Sequence, residues 1–127
     1  MPIALDEKND WLRYSRAIMY LVIGQTDACK RDLQHAIELV QGALDNSPGD
    51  WRIRFNLALY KLINNDADAE VQYNQLISSC LLMPYLQDAI DDLDDLIMLQ
   101  LYDEPAQHLR SELSIWIAKL SGLPAIS

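Results

Sequence analysis

The stretch Asp10–Val40, DWLRYSRAIMYLVIGQTDACKRDLQHAIELV, decides the fold. Trp11, Tyr14, Ile18, Leu21 and Val22 recur at helical spacing, which lines one face of an α-helix and does not fit the two-residue period of a strand. Gly24 follows where a helix closes its last turn with a left-handed residue. Thr26 or Asp27 is placed to cap a second helix, whose apolar positions Leu33, Ala36, Ile37, Val40 and Leu44 come next. A turn this short makes the two helices fold back on each other as an antiparallel hairpin.

The same reading extends outward in both directions. The first helix is expected from about Asp6 to Ile23, and the second ends at Asn46-Ser-Pro-Gly49. A third spans Asp50 to about Ile63, with Trp51, Phe55, Ala58, Leu59 and Leu62 on one side and Ile53, Leu57 and Tyr60 on the other, so it is expected between neighbours. A fourth follows Asn64-Asn65 and runs to Met83, a fifth spans Pro84 to about Leu101, and a sixth starts near Asp103-Glu-Pro105 and ends at Gly122. No alternating strand pattern competes. The expectation is all-α: a single domain over residues 1–127, an array of about six antiparallel helices in three hairpins near 6–46, 50–83 and 84–122.

Within the first hairpin, Ala17 is followed by Tyr20, Cys29, Leu33 and Ala36 at intervals of 3, 9, 4 and 3. This spacing resembles the tetratricopeptide repeat (TPR), in which small residues stand where two helices cross closely and larger ones fill the space beside them. The second hairpin is similar: Ala58 takes the small position of its first helix, and Ala69, Tyr73 and Leu76 those of its second. It departs from the pattern by one residue in the loop, by Lys61 in the tyrosine position, and by Arg13 and Arg54 where tryptophan is frequent. Ala17 and Ala58 are 41 residues apart, longer than the family's period. The third hairpin has no such match and is read as a terminal unit whose outer face tolerates water. The resemblance implies a TPR-like α-α superhelix whose concave groove takes peptide ligands, with Trp11, Tyr14 and Ile18 on the first helix and Arg52, Phe55 and Leu59 on the third lining it. Aromatic and arginine side chains of this kind anchor interfaces.

Charge narrows the partners. Residues 1–63 hold eight Lys/Arg and eight Asp/Glu, whereas residues 64–127 hold only Arg110 and Lys119 against eleven acids, so the entire net charge of −9 lies in the second half. Such a field repels phosphate backbones and favours a basic partner, so no nucleic-acid partner is expected. The longest apolar run, Ile18–Ile23, is far short of the roughly 20 residues of a membrane span, and the start MPIALDEKND is acidic where a signal peptide would be basic. No membrane partner and a cytoplasmic location are therefore expected. Cys29 and Cys80 form no C-x-x-C pair and no metal-type cluster with His35 or His108, and are read as buried small hydrophobes of a reducing compartment.

Asp88–Ile97, DAIDDLDDLI, packs five carboxylates into eight residues. On a helix, Ala89, Ile90, Leu93, Leu96 and Ile97 share one side while Asp91, Asp92, Asp94 and Asp95 share the other. Three readings follow: a solvated face, a docking strip for a basic helix or tail, or a cation site, because Asp91-Asp92-x-x-Asp95 has the D-D-x-x-D spelling of magnesium-holding helical enzymes. No second acidic motif and no basic diphosphate-holding residues accompany it. The histidines lack a converging third group, the serines lack a glycine-flanked elbow, and four glycines make no phosphate loop. The sequence thus predicts a non-enzymatic protein–protein interaction module without a cofactor, an adaptor, chaperone or assembly factor binding a peptide or helix of another protein. Its alternatives are a homodimeric structural or regulatory protein, and a small metal-dependent helical domain using Asp88 to Asp95.

Overall fold

The computed structural model describes residues 9–101 and 103–122. Among them it contains six helices and no strand: α1 Asp10–Val22, α2 Thr26–Asn46, α3 Trp51–Ile63, α4 Ala69–Ser79, α5 Met83–Met98 and α6 Asp103–Leu120. The all-α expectation holds. The chain divides into two compact units, with the boundary after Asp66, between α3 and α4 and inside the span expected to form the second hairpin.

In the first unit α1 and α2 form the expected hairpin, and α3 packs on α2. Asn9 opens α1 by accepting the Leu12 backbone N–H on its side-chain oxygen (3.1 Å), and Asp50 opens α3 in the same way with Ile53 (3.2 Å). The expected start at Asp6 lies outside the described residues. Gly24 closes α1 with φ +82°: its N–H reaches the Leu21 carbonyl, and the Gln25 N–H reaches that of Tyr20. That pair of bonds is a Schellman turn, and it carries the chain so directly into α2 that Gln25, not Thr26 or Asp27, occupies the cap position. Ala17, Cys29, Leu33 and Ala36, the positions that carry the repeat spacing in this hairpin, are all buried. Small side chains there let α1 and α2 approach closely. Tyr20, the fifth of the set, is half-buried. α3 is buried on two sides, through Phe55, Ala58, Leu59 and Leu62 and through Tyr60 and Ile63.

In the second unit α5 and α6 form a hairpin and α4 packs on α6. Leu86, Ala89, Ile90, Leu93 and Leu96 of α5 are buried, with Ala106, Leu109 and Leu113 of α6 and Ala69, Tyr73 and Ile77 of α4. α4 is shorter at both ends than its periodicity predicts. At its start Asn65 takes φ +60° and closes α3, leaving Asp66-Ala67-Asp68 outside the helix. At its end the Ser78 and Ser79 hydroxyls both donate to the Gln75 carbonyl (3.0 and 2.9 Å), and the Trp116 indole N–H takes the Cys80 carbonyl (2.7 Å). A side chain from α6 thus satisfies a carbonyl that no continuing helix could have satisfied, because the residue four further on is Pro84, which has no N–H. Met83 therefore belongs to α5, whose first turn accommodates Pro84 because the N–H that proline lacks has no partner there. Cys29 and Cys80 are free and buried, and no helix among the described residues is long and apolar enough to cross a membrane.

Candidate functional site

The site predicted on α1 and α3 separates into a buried floor and an exposed rim. Tyr14, Phe55 and Leu59 are buried, so they offer no side-chain surface to a partner. Ile18 is half-buried. Trp11 and Arg52 are the exposed members, Trp11 with 38% of its surface in water.

Trp11 does not stand alone. Its ring lies 5.0 Å from that of Tyr14 and 6.5 Å from that of Tyr60, and the two tyrosines stack at 5.0 Å with 27° between their planes. Aromatic pairs at these separations add about 0.5–1.5 kcal/mol beyond area burial. The Tyr60 hydroxyl donates to Asp10 at 2.5 Å, tying α3 to the first turn of α1. The exposed indole therefore rests on a stack whose members are fixed by burial and by a charge-assisted hydrogen bond. On the outer part of α3, Trp51 packs on Phe55 at 6.3 Å, and the Arg54 guanidinium lies 4.3 Å from the Trp51 ring centroid.

Sequence reasoning missed Tyr60 as a partner of this cluster, and it missed Asp32. Asp32 is a buried carboxylate, 3% exposed, on the face of α2 that carries Cys29, Leu33 and Ala36. Arg16 grips it through two parallel bonds, Nε to Oδ2 at 2.7 Å and a terminal nitrogen to Oδ1 at 2.6 Å. This fork holds the Arg16 guanidinium still more firmly in its charged form. Arg13 lies 3.9 Å from the same carboxylate and donates to His35 Nδ1 at 3.1 Å. The signal was present in the register: Arg16 and Asp32 lie equally far from Gly24, as do Arg13 and His35, so an antiparallel hairpin brings both pairs opposite each other.

The acidic strip sits on α5 largely as expected. Asp88, Asp91 and Asp95 are exposed along one line of the helix, while Asp92 and Asp94 are half-buried at its margins. Asp94 is bound by the Arg110 Nε of α6, so the strip contributes one carboxylate to holding its own hairpin together. Asp95 falls in the last turn of α5, where the helix dipole is negative and a carboxylate is opposed rather than favoured. Asp91 and Asp95 are also like charges at four-residue spacing. Among the described residues no three His, Cys, Asp or Glu side chains converge in an arrangement that could hold a metal ion. The D-D-x-x-D spelling therefore has no matching geometry: Asp91 and Asp95 face water while Asp92 turns to a margin.

Compared with family models, curated proteins and solved structures, the chain matches none.

His108 gains a partner that spacing alone does not reveal. Its Nδ1 lies 2.7 Å from Glu70 of α4, and its Nε2 lies 3.9 Å from Glu112 one turn along α6. The Glu70 hydrogen bond, with Glu112 adding to it, raises the histidine above its ordinary value. Both partners are largely in water, so the contact clamps α4 to α6 but does not build a buried acid–base pair. His35, bound to Arg13, likewise faces a cation and not a nucleophile.

Proposed function

We propose that this protein is a non-enzymatic, TPR-like interaction module, of adaptor, chaperone or assembly-factor type, which holds a peptide or helix of another protein. The observation that carries the reading is the Trp11 indole, exposed on the Tyr14–Tyr60 stack and braced through Asp10. A rigid aromatic on a prearranged base loses little side-chain entropy on binding, which is why such groups become interface anchors. Arg52, exposed on α3, supplies a second anchor, and Asp88, Asp91 and Asp95 supply a strip for a basic segment. The strip also supports the reading by its cost: Asp91 and Asp95 stand one turn apart as like charges, and Asp95 lies at the unfavourable end of the helix, an arrangement that suits a purpose outside the fold.

The test compares partner capture by wild type, by a Trp11→Ala/Arg52→Ala variant, and by an Asp88→Asn/Asp91→Asn/Asp95→Asn variant. Each captured protein is then titrated against all three in purified form. Loss of affinity of tenfold or more in the first variant assigns the aromatic rim, and loss in the second assigns the acidic strip. Binding unchanged in both sinks the proposal.

A further inference from the structure

We infer that α4 is a releasable strap, which leaves α6 and unfolds as one piece while the α5–α6 hairpin stays paired. This motion goes beyond the adaptor reading and does not depend on it. Alone, α4 has little reason to be helical. Its eleven residues, Ala69–Ser79, fall short of the length at which even alanine-rich helices hold in water. Val71, Tyr73, Asn74, Ile77, Ser78 and Ser79 all rank below alanine, leucine and the straight-chain residues as helix formers. Asp68, at its N-cap, makes no side-chain bond to the first turn, unlike Asn9 before α1 and Asp50 before α3. Packing alone keeps α4 helical, so leaving α6 and unfolding are one event.

That packing is one-sided. Ala69, Tyr73 and Ile77, four residues apart, form a single buried row, while Val71, Gln72, Asn74, Gln75, Ser78 and Ser79 face water. The pairing of α4 with α6 is less extensive than that of α5 with α6. Each end of the strap is fastened by one α6 side chain: Glu70 by His108 (2.7 Å) and the Cys80 carbonyl by the Trp116 indole N–H (2.7 Å). At 1.5 Å per residue these points lie about 15 Å apart along α4 and about 12 Å apart along α6, so the two helices run side by side in one direction. The first fastening joins side chains about half in water and the second is a single hydrogen bond, both of modest net strength.

Release of the strap need not carry α5 with it. Cys80 and Leu82 are both extended, so α5 begins afresh at Met83 and does not continue α4. The hairpin that remains keeps its own buried row, Leu86, Ala89, Ile90, Leu93 and Leu96, against α6. Elements held by few apolar contacts open below the free energy of global unfolding. Cys80 reports the motion, because its free thiol is fully buried at the end of α4 and reacts only once it is uncovered.

The test is alkylation of Cys80 by iodoacetamide, slow relative to reclosing and located by mass spectrometry, beside amide exchange of α5 and α6. Two variants replace exposed side chains and leave every contact named above in place. Gln72→Gly weakens α4 and is expected to speed Cys80 labelling about fivefold, the usual effect of glycine inside a helix. Gln87→Gly weakens α5 by the same mechanism and is expected to speed α5–α6 amide exchange about fivefold while leaving Cys80 labelling unchanged, because α5 is still folded when the strap is open. Cys80 labelling that accelerates with Gln87→Gly overturns the inference, since the thiol would then be exposed only when the whole unit unfolds. Labelling indifferent to Gln72→Gly also overturns it, since Cys80 would then be reached by a local fluctuation with α4 intact.

Discussion

Arg16 and Asp32 share two hydrogen bonds but not the same access to water: 33% of the arginine side chain is exposed against 5% of the aspartate. Their removal should therefore be unequal. Arg16→Met strands a buried carboxylate with only Arg13 nearby, and is expected to lower unfolding free energy by about 3–5 kcal/mol. Asp32→Leu leaves an arginine that can turn to solvent, and should cost only about 1–2 kcal/mol. The double replacement should then be more stable than Arg16→Met alone. Urea denaturation of the three variants checks the order, and equal costs for the two single changes would contradict it.

At the scale of an element, three helices close with the same pair of backbone bonds around a left-handed residue: Gly24 after α1, Asn65 after α3 and Gln100 after α5. Only the first is a glycine. A side chain in that conformation costs about 1–2 kcal/mol, partly offset by the greater freedom a glycine would lose. Gln100→Gly is thus expected to raise stability by about 0.5–1 kcal/mol and Gly24→Ala to lower it by about 1 kcal/mol, read as opposite shifts in melting temperature. Nothing lies within 4 Å of a Cβ built on Gly24, so its effect comes from the backbone and not from a clash. The clamp of α4 on α6 carries a pH sign. His108 is raised in the folded state, so its contribution is fully present below its unfolded value of 6.5 and is lost as pH rises through the folded value. Amide exchange in α4 should accelerate as pH climbs beyond that range, after correction for intrinsic exchange, and His108→Gln should remove the dependence.

For the whole molecule, charge is divided as unequally as the architecture. Residues 67–122 fold under a strong negative field, with Asp88, Asp91 and Asp95 exposed in line on α5. Replacing these three with asparagine should raise stability by a few tenths of a kcal/mol each, and added salt should stabilise wild type more than the variant. If the strip holds a basic partner, the same variant gains stability as it loses binding, the trade expected of a functional site. A variant that loses stability instead would show that these carboxylates serve the fold.

The sequence by itself determined the six helices, the α1–α2 hairpin and the outward direction of most of the acidic strip. Each rests on interactions a few residues apart: helical periodicity, Gly24, the start of α3 at Asp50, and proline in the first turn of α5. Tertiary structure decided what depends on distant partners. It buried Tyr14, Phe55 and Leu59 while leaving Trp11 and Arg52 exposed, since periodicity identifies an apolar side but not which residues are covered. It set Tyr60 against Asp10 across fifty residues, placed the Trp116 indole N–H on the Cys80 carbonyl, and gave His108 a carboxylate on another helix. Asp32 lay between the two cases. Its register opposite Arg16 was written in the hairpin, but its burial became visible only once α1 and α2 were packed, because water is excluded by neighbours and not by spacing.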